Sequence, residues 1–193
     1  MGEASYILGI KIYRDRSRRM LGINHFSYIE KDVEHPLCLS RRKHSVCCPV
    51  HRPDVAYALS VTSRYQACAK EAHWGAVKSI LKHLKRTRDM FLIYGGGELI
   101  LEGYSDASFQ SDDDDAKSQS DFVFKLNGGV VAWKSFKQDT TADSTTEAEY
   151  IAASEAAKEA VWMKNYIQEL GVVPSIAEPI VIFCDNNGAI AHS

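Results

Sequence analysis

The amino-acid sequence predicts an α/β protein in which a mixed sheet carries flanking helices and follows a small helix-rich segment. Three observations predict it. From residue 91 onward the apolar pattern switches to strand-like runs, with "DFVFKLNGGVVAWKS" alternating on either side of Asn127-Gly128, a strong short-range hairpin signal. An unbroken alanine-rich helical pattern, "DSTTEAEYIAASEAAKEAVWMKNYIQELG", then ends at Gly171 with Pro174 just beyond. Last comes "PIVIFCD", a continuous β-branched run that reads as a strand buried on both faces. Strands joined by hairpins, a long helix and one further parallel strand make a mixed α/β layer.

The elements follow in chain order. "YILGIKIY" (6–13) is a short strand-like run, and "SRR" before "MLGINHFSYI" marks a turn into a second strand or a helix start. Residues 31–53 show no period and are punctuated by prolines, so they read as an irregular connection. Pro53 then precedes Val55, Ala58, Leu59 and Thr62, a helix with proline near its first turn. "EAHWGAVKSILKHLKRT" repeats apolar residues at Trp74, Val77, Ile80, Leu81 and Leu84, with Lys78, Lys82, Lys85 and Arg86 on the outer face. That basic face is read either as a solvated surface or as a contact for a phosphate backbone. "FLIYGGG" and "LILEGYSD" are two further strand runs, the first being either an extra edge strand or the end of the connection.

Composition sets limits. The chain has 193 residues, 45% of them apolar, which suffices for one or two cored domains. No uninterrupted apolar window of about 18 residues spans a bilayer, and the N-terminus lacks signal-peptide order, so no membrane partner and an intracellular setting, cytoplasm or nucleus, are expected. Five cysteines without CxxC pairing argue against a disulfide framework and a zinc knuckle. Cys47 and Cys48 beside His44 and His51 offer zinc ligands at an unfavourable spacing. The net charge of −2 hides an asymmetry: residues 1–100 hold 17 Lys and Arg against 9 Asp and Glu, and residues 101–193 hold 6 against 16. A basic half invites a polyanion and an acidic half invites divalent cations. The run Asp112 to Asp115 reads as a solvated loop rather than a cation cage.

Asp106 and Asp185 each end an apolar strand run, and a glutamate of the alanine-rich helix comes up between them. Such carboxylates repel one another unless cations neutralise them, and two hard cations about 3.5–4 Å apart both neutralise the acids and clamp a phosphodiester. The helix start selects the glutamate. Ser144 and Glu147 fit a capping box, which engages Glu147 structurally. Glu149 lies about 200° further round, on the face of Ala152, Ala153 and Ala156, where a carboxylate needs a partner.

The stretches "GYSDAS", "KSQSDFVFKLNGGVVAWKS", "STTEAEYIAASEAAKEAVWM" and "IVIFCDNNGAIA" resemble the ribonuclease H domain of copia-type LTR retrotransposon Pol polyproteins. Upstream, "ILGIKIYRD" and "SYIEK" resemble the end of a reverse transcriptase, and "RPDVAYALSVTSRYQ" with "EAHWGAVKSILKHLKRT" resembles the connection that follows. The resemblance implies residues 1–30 as the reverse transcriptase end, 31–53 and 54–90 as the connection, and 91–193 as a ribonuclease H-like domain. It implies hydrolysis of the RNA strand of an RNA/DNA hybrid by two Mg²⁺ or Mn²⁺ ions. In that scheme Asp106 bridges both ions, Glu149 holds the one near the leaving group and Asp185 the one that activates water.

Several departures accompany the resemblance. The family continues past the position of Ser193 and supplies a fourth aspartate, so the resemblance reads the domain as C-terminally truncated and its hydrolysis as impaired, completed by the rest of a Pol polyprotein or not at all. The alternative is a noncatalytic remnant that at most binds nucleic acid. Asp121 stands where the family has glycine, and Asp143 where it has an apolar residue. No YxDD-type motif is present, which excludes DNA synthesis.

Overall fold

In the computed structural model the described residues are 5–7, 10–24, 52–112, 114–171 and 173–191. The chain forms two compact units, Met1–Gly96 and Gly97–Ser193. Most of the irregular connection, with Cys47, Cys48, His44 and His51, lies outside the described residues.

The first unit holds an antiparallel sheet in the order β1 (Tyr6–Ile7), β2 (Ile10–Asp15), β3 (Met20–Asn24) and β4 (Leu92–Tyr94). The turn between β2 and β3 is closed locally, because the Asp15 carboxylate accepts from the Ser17 hydroxyl at 2.6 Å and the Arg18 N–H at 3.1 Å. The run at 91–94 therefore belongs to this sheet: Leu92 to Tyr94 pair with Ile23 to Leu21. The Asn24 side-chain amide donates to the carbonyls of Arg88 and Met90 and fixes the approach to β4.

The helical segment forms as its periodicity requires. A 3-10 turn at Pro53–Val55 leads into α1 (Ala56–Ser63), and α2 (Glu71–Arg86) follows. Val55, Leu59, Ile80 and Leu84 bury their side chains between the helices. At one end, Arg52 Nη2 sits 2.6 Å from Asp54 Oδ2 and His83 Nε2 lies 2.7 Å from the same oxygen. Burial works against the charged form of Asp54, but these two partners outweigh it and hold its carboxyl at about 2.

The second unit is a mixed sheet in the order β7-β6-β5-β8, the α/β, ribonuclease H-like architecture expected. Strands β5 (Glu102–Ser108), β6 (Gln119–Leu126) and β7 (Gly129–Lys137) are antiparallel, whereas β8 (Val181–Phe183) runs parallel to β5. The Asn127-Gly128 turn has φ of 52° and 75°, the left-handed pair that a two-residue hairpin demands. Helix α3 (Thr145–Leu170) starts at Ser144, whose hydroxyl accepts the Glu147 N–H at 3.1 Å, and stops at left-handed Gly171. The Glu147 carboxylate reaches back to the N–H of Asp143, one residue before the position a capping box prescribes.

The buried stripe of α3, comprising Ala148, Ala152, Ala156, Ala160, Met163 and Ile167, lies on the sheet with Leu101, Phe122 and Phe124 beneath it. Its small side chains allow close approach. Within the sheet, Gly103 of β5 leaves room for the ring of its cross-strand partner Phe124, since a Cβ there would meet Phe124 Cε1 at 2.6 Å. Strand β8 corrects the expectation of burial on both faces. Ile180 and Ile182 pack on the core, but Val181 and Phe183 are 53% and 47% exposed. Phe183 stacks on Tyr104 at 5.1 Å on that outer face, and no described element covers it.

The acidic loop between β5 and β6 is structured by a cation from its own chain. Lys137 Nζ lies 2.8 Å from Asp112 Oδ2 and 2.7 Å from Asp115 Oδ2, and Asp112 is almost fully buried. The Asp112 and Asp115 carboxylates also accept from the N–H groups of Asp114 and Lys117. The run is thus a folded loop with an internal counter-ion rather than a freely solvated one.

Candidate functional site

Three elements converge where β5 and β8 end beside the start of α3. Asp106 lies within β5, two residues short of its end, and Asp185 follows β8 by two residues and precedes the short helix α4 (Asn187–Ala191) by two. Both are exposed, whereas Glu149, in the second turn of α3, is 7% exposed. Glu149 sits there because its turn also carries Ala148 and Ala152, which press α3 onto the sheet.

The buried carboxylate is held at both oxygens. Glu149 Oε1 accepts the N–H of Ala107 at 3.2 Å, which anchors it one residue from Asp106. Glu149 Oε2 faces the Cys184 thiol, with Sγ at 3.7 Å. One ligand atom from each of Glu149, Cys184 and Asp185 lies within 4.8 Å of the others. Helix α3 thus brings Glu149 to Asp185, and its bond to Ala107 brings Glu149 beside Asp106.

The electrostatics of the cluster are unfavourable without a counter-ion. Burial pushes the Glu149 carboxyl up, the negative charges of Asp106 and Asp185 add to that, and the Ala107 and Cys184 hydrogen bonds only partly oppose it. Asp121 adds a further charge. It stands directly opposite Asp106 in the β5–β6 ladder, so both side chains share a face. Burial raises the Asp121 carboxyl, and Asp106 raises it further against a hydrogen bond with Ser135. The donor set is dominated by carboxylate oxygens, which suits hard dications such as Mg²⁺ and Mn²⁺.

The remaining residues singled out in the sequence lie elsewhere. Lys78, Lys82, Lys85 and Arg86 are exposed along the outer face of α2 in the first unit. Ser144 caps α3 as its spacing predicted, whereas the Glu147 carboxylate accepts from the N–H of Asp143 rather than that of Ser144. Sequence reasoning passed over Cys184. Its signal was its position directly before Asp185, which lets the thiol and the carboxylate flank one site at a strand end.

No family model and no solved structure matches the chain. Among curated proteins, it is similar to the retrovirus-related Pol polyprotein from transposon TNT 1-94 of Nicotiana tabacum, 36% identical over 227 aligned positions that take in 98% of this chain and 17% of the relative. It is similar to the Pol polyprotein from transposon RE2 of Arabidopsis thaliana, 36% identical over 72% of this chain and 9% of the relative. It also matches a secreted RxLR effector protein 161 of Plasmopara viticola, 45% identical over 59% of this chain and 81% of that protein. Against the Pol relatives, the chain spans a small part of their length.

Proposed function

The chain belongs to the copia-type family of retrovirus-related Pol polyproteins, and from that premise we propose that its second unit is a ribonuclease H acting on the RNA strand of RNA/DNA hybrids. The observation that carries the reading is Glu149: a nearly buried carboxylate held against β5, on which the negative charges of Asp106 and Asp185 both act. Such an arrangement is costly in an apo protein and is relieved by bound dications.

Asp106, Glu149 and Asp185 would hold two Mg²⁺ or Mn²⁺ ions. When bound, such a pair activates water and stabilises the leaving oxygen of a phosphodiester. The chain itself supplies the positioning. Ala107 fixes the orientation of the Glu149 carboxylate, the alanine face of α3 sets its depth, and exposed Asp106 and Asp185 leave the site open to a backbone phosphate. The hybrid would be recognised by shape and by its 2′-hydroxyls, without base sequence. The basic stripe Lys78, Lys82, Lys85 and Arg86 would supply sequence-independent phosphate contacts.

The test is cleavage of a labelled RNA/DNA hybrid under a Mg²⁺ titration. Cleavage is expected to depend on Mg²⁺ or Mn²⁺ and to fall at least about a hundredfold in Asp106→Asn. Cleavage that survives Asp106→Asn overturns the reading. Salt-sensitive hybrid binding with no cleavage by the folded protein at saturating Mn²⁺ also overturns it, in favour of a noncatalytic, nucleic-acid-binding role.

A further inference from the structure

We propose that Cys184 makes this centre a binding site for a thiophilic dication of the Zn²⁺ class, held by Glu149, Cys184 and Asp185, and that its occupancy silences the centre. The silencing rests on the proposed nuclease reading, but the binding stands on geometry alone.

The spacing is that of a zinc site. Zn–S bonds of about 2.3 Å and Zn–O bonds of about 2.1 Å in tetrahedral geometry set a bonded sulfur and oxygen roughly 3.6 Å apart. Cys184 Sγ and Glu149 Oε2 stand 3.7 Å apart. The whole ligand set fits within 4.8 Å, and Asp185 is exposed, so its carboxylate closes on an ion by rotation. Mg²⁺ makes no use of the sulfur, whereas Zn²⁺ prefers it to an added carboxylate.

A second observation points to the same place. Ser105 is 7% exposed, and its hydroxyl has no hydrogen-bond partner. The last ladder pair between β5 and β8 is Tyr104 with Phe183, and Ser105 and Cys184 are the residues that follow this pair on the two parallel strands. Strand alternation turns Ser105 to the α3 side, the side on which the thiol meets Glu149. A water or an ion in the fourth coordination place would satisfy an unpartnered hydroxyl on that side.

Asp106 is not part of this ligand set. A thiophilic ion would therefore take two of the three carboxylates proposed for Mg²⁺ and leave Asp106 free. That separation distinguishes the two readings experimentally.

The probe is Co²⁺, in a chain whose Cys38, Cys47, Cys48 and Cys68 are replaced by serine so that Cys184 is the sole thiol. A thiolate-to-cobalt charge-transfer absorption is expected, displaced by Zn²⁺, lost on adding Cys184→Ser, and retained on adding Asp106→Asn. In the unmodified chain, Zn²⁺ should slow alkylation of Cys184, identified by its peptide mass, while Mg²⁺ does not. Where hybrid cleavage is measurable, Cys184→Ser should raise the Zn²⁺ concentration needed for inhibition at least about tenfold. Cobalt binding without the thiolate band, a band that survives Cys184→Ser, or equal protection by Mg²⁺ each overturns the proposal. Loss of cleavage in Asp106→Asn with the cobalt band intact leaves both readings standing, whereas absent cleavage with an intact band removes only the nuclease.

Discussion

Asp106 and Asp121 stand directly opposite one another across the β5–β6 ladder, two carboxylates on one face of the sheet. Like charges in that relation destabilise a sheet by about 0.2–1 kcal/mol. Asp121→Asn should therefore stabilise the metal-free protein by about 0.5 kcal/mol near neutral pH. Urea denaturation in a chelator checks this, and the gain should shrink when Mg²⁺ is present.

The pH dependence of stability should carry the sign of Glu149. Its folded-state carboxyl titrates above the ordinary value, so the charged form is disfavoured by folding, and stability rises as pH falls through the folded value toward the unfolded one. Glu149→Gln removes that term. In a chelator the variant should melt higher than the parent at neutral pH, and the difference should vanish toward pH 4. Mg²⁺ should raise the melting temperature of the parent and not of the variant.

Gly103→Ala tests how tightly the Phe124 ring lies over its cross-strand neighbour. The new methyl would meet the fully buried ring of Phe124 at 2.6 Å and Ile182 Cγ1 at 3.2 Å. A loss of about 1–3 kcal/mol is expected by chemical denaturation, typical of overpacking.

Replacing Lys78, Lys82, Lys85 and Arg86 together by glutamine should leave stability nearly unchanged, because all four are exposed. If they pair with phosphates, hybrid affinity should fall and its slope against log salt should flatten by about 3. Fluorescence anisotropy over a salt series reads both.

The parts of the molecule that sequence made legible are those with a local cause. Asn127-Gly128 announces its turn by residue type alone, and Ser144 and Gly171 mark the ends of α3 by capping chemistry. Asp185 just past β8 and Glu149 on the buried face of α3 follow from local pattern, whereas the expected strand end at Asp106 falls inside β5, which runs on to Ser108. What stayed hidden depends on partners distant in sequence. The pairing of Leu92–Tyr94 with β3 spans some seventy residues and leaves no mark in either segment. The exposure of Val181 and Phe183 depends on what covers the sheet, and an apolar run reads alike whether one face is buried or both. Cys184 meets Glu149 only because the parallel register of β5 and β8 and the depth of α3 place them together.

The ammonium of Lys137, lodged between Asp112 and Asp115, gives the most acidic stretch of the chain a tethered neutraliser. Because the ammonium is covalently part of the chain, its local concentration beside Asp112 and Asp115 does not fall on dilution. A dication binding at Asp112 and Asp115 must first displace that ammonium, which lowers the background this pair adds to spectroscopic or calorimetric metal titrations.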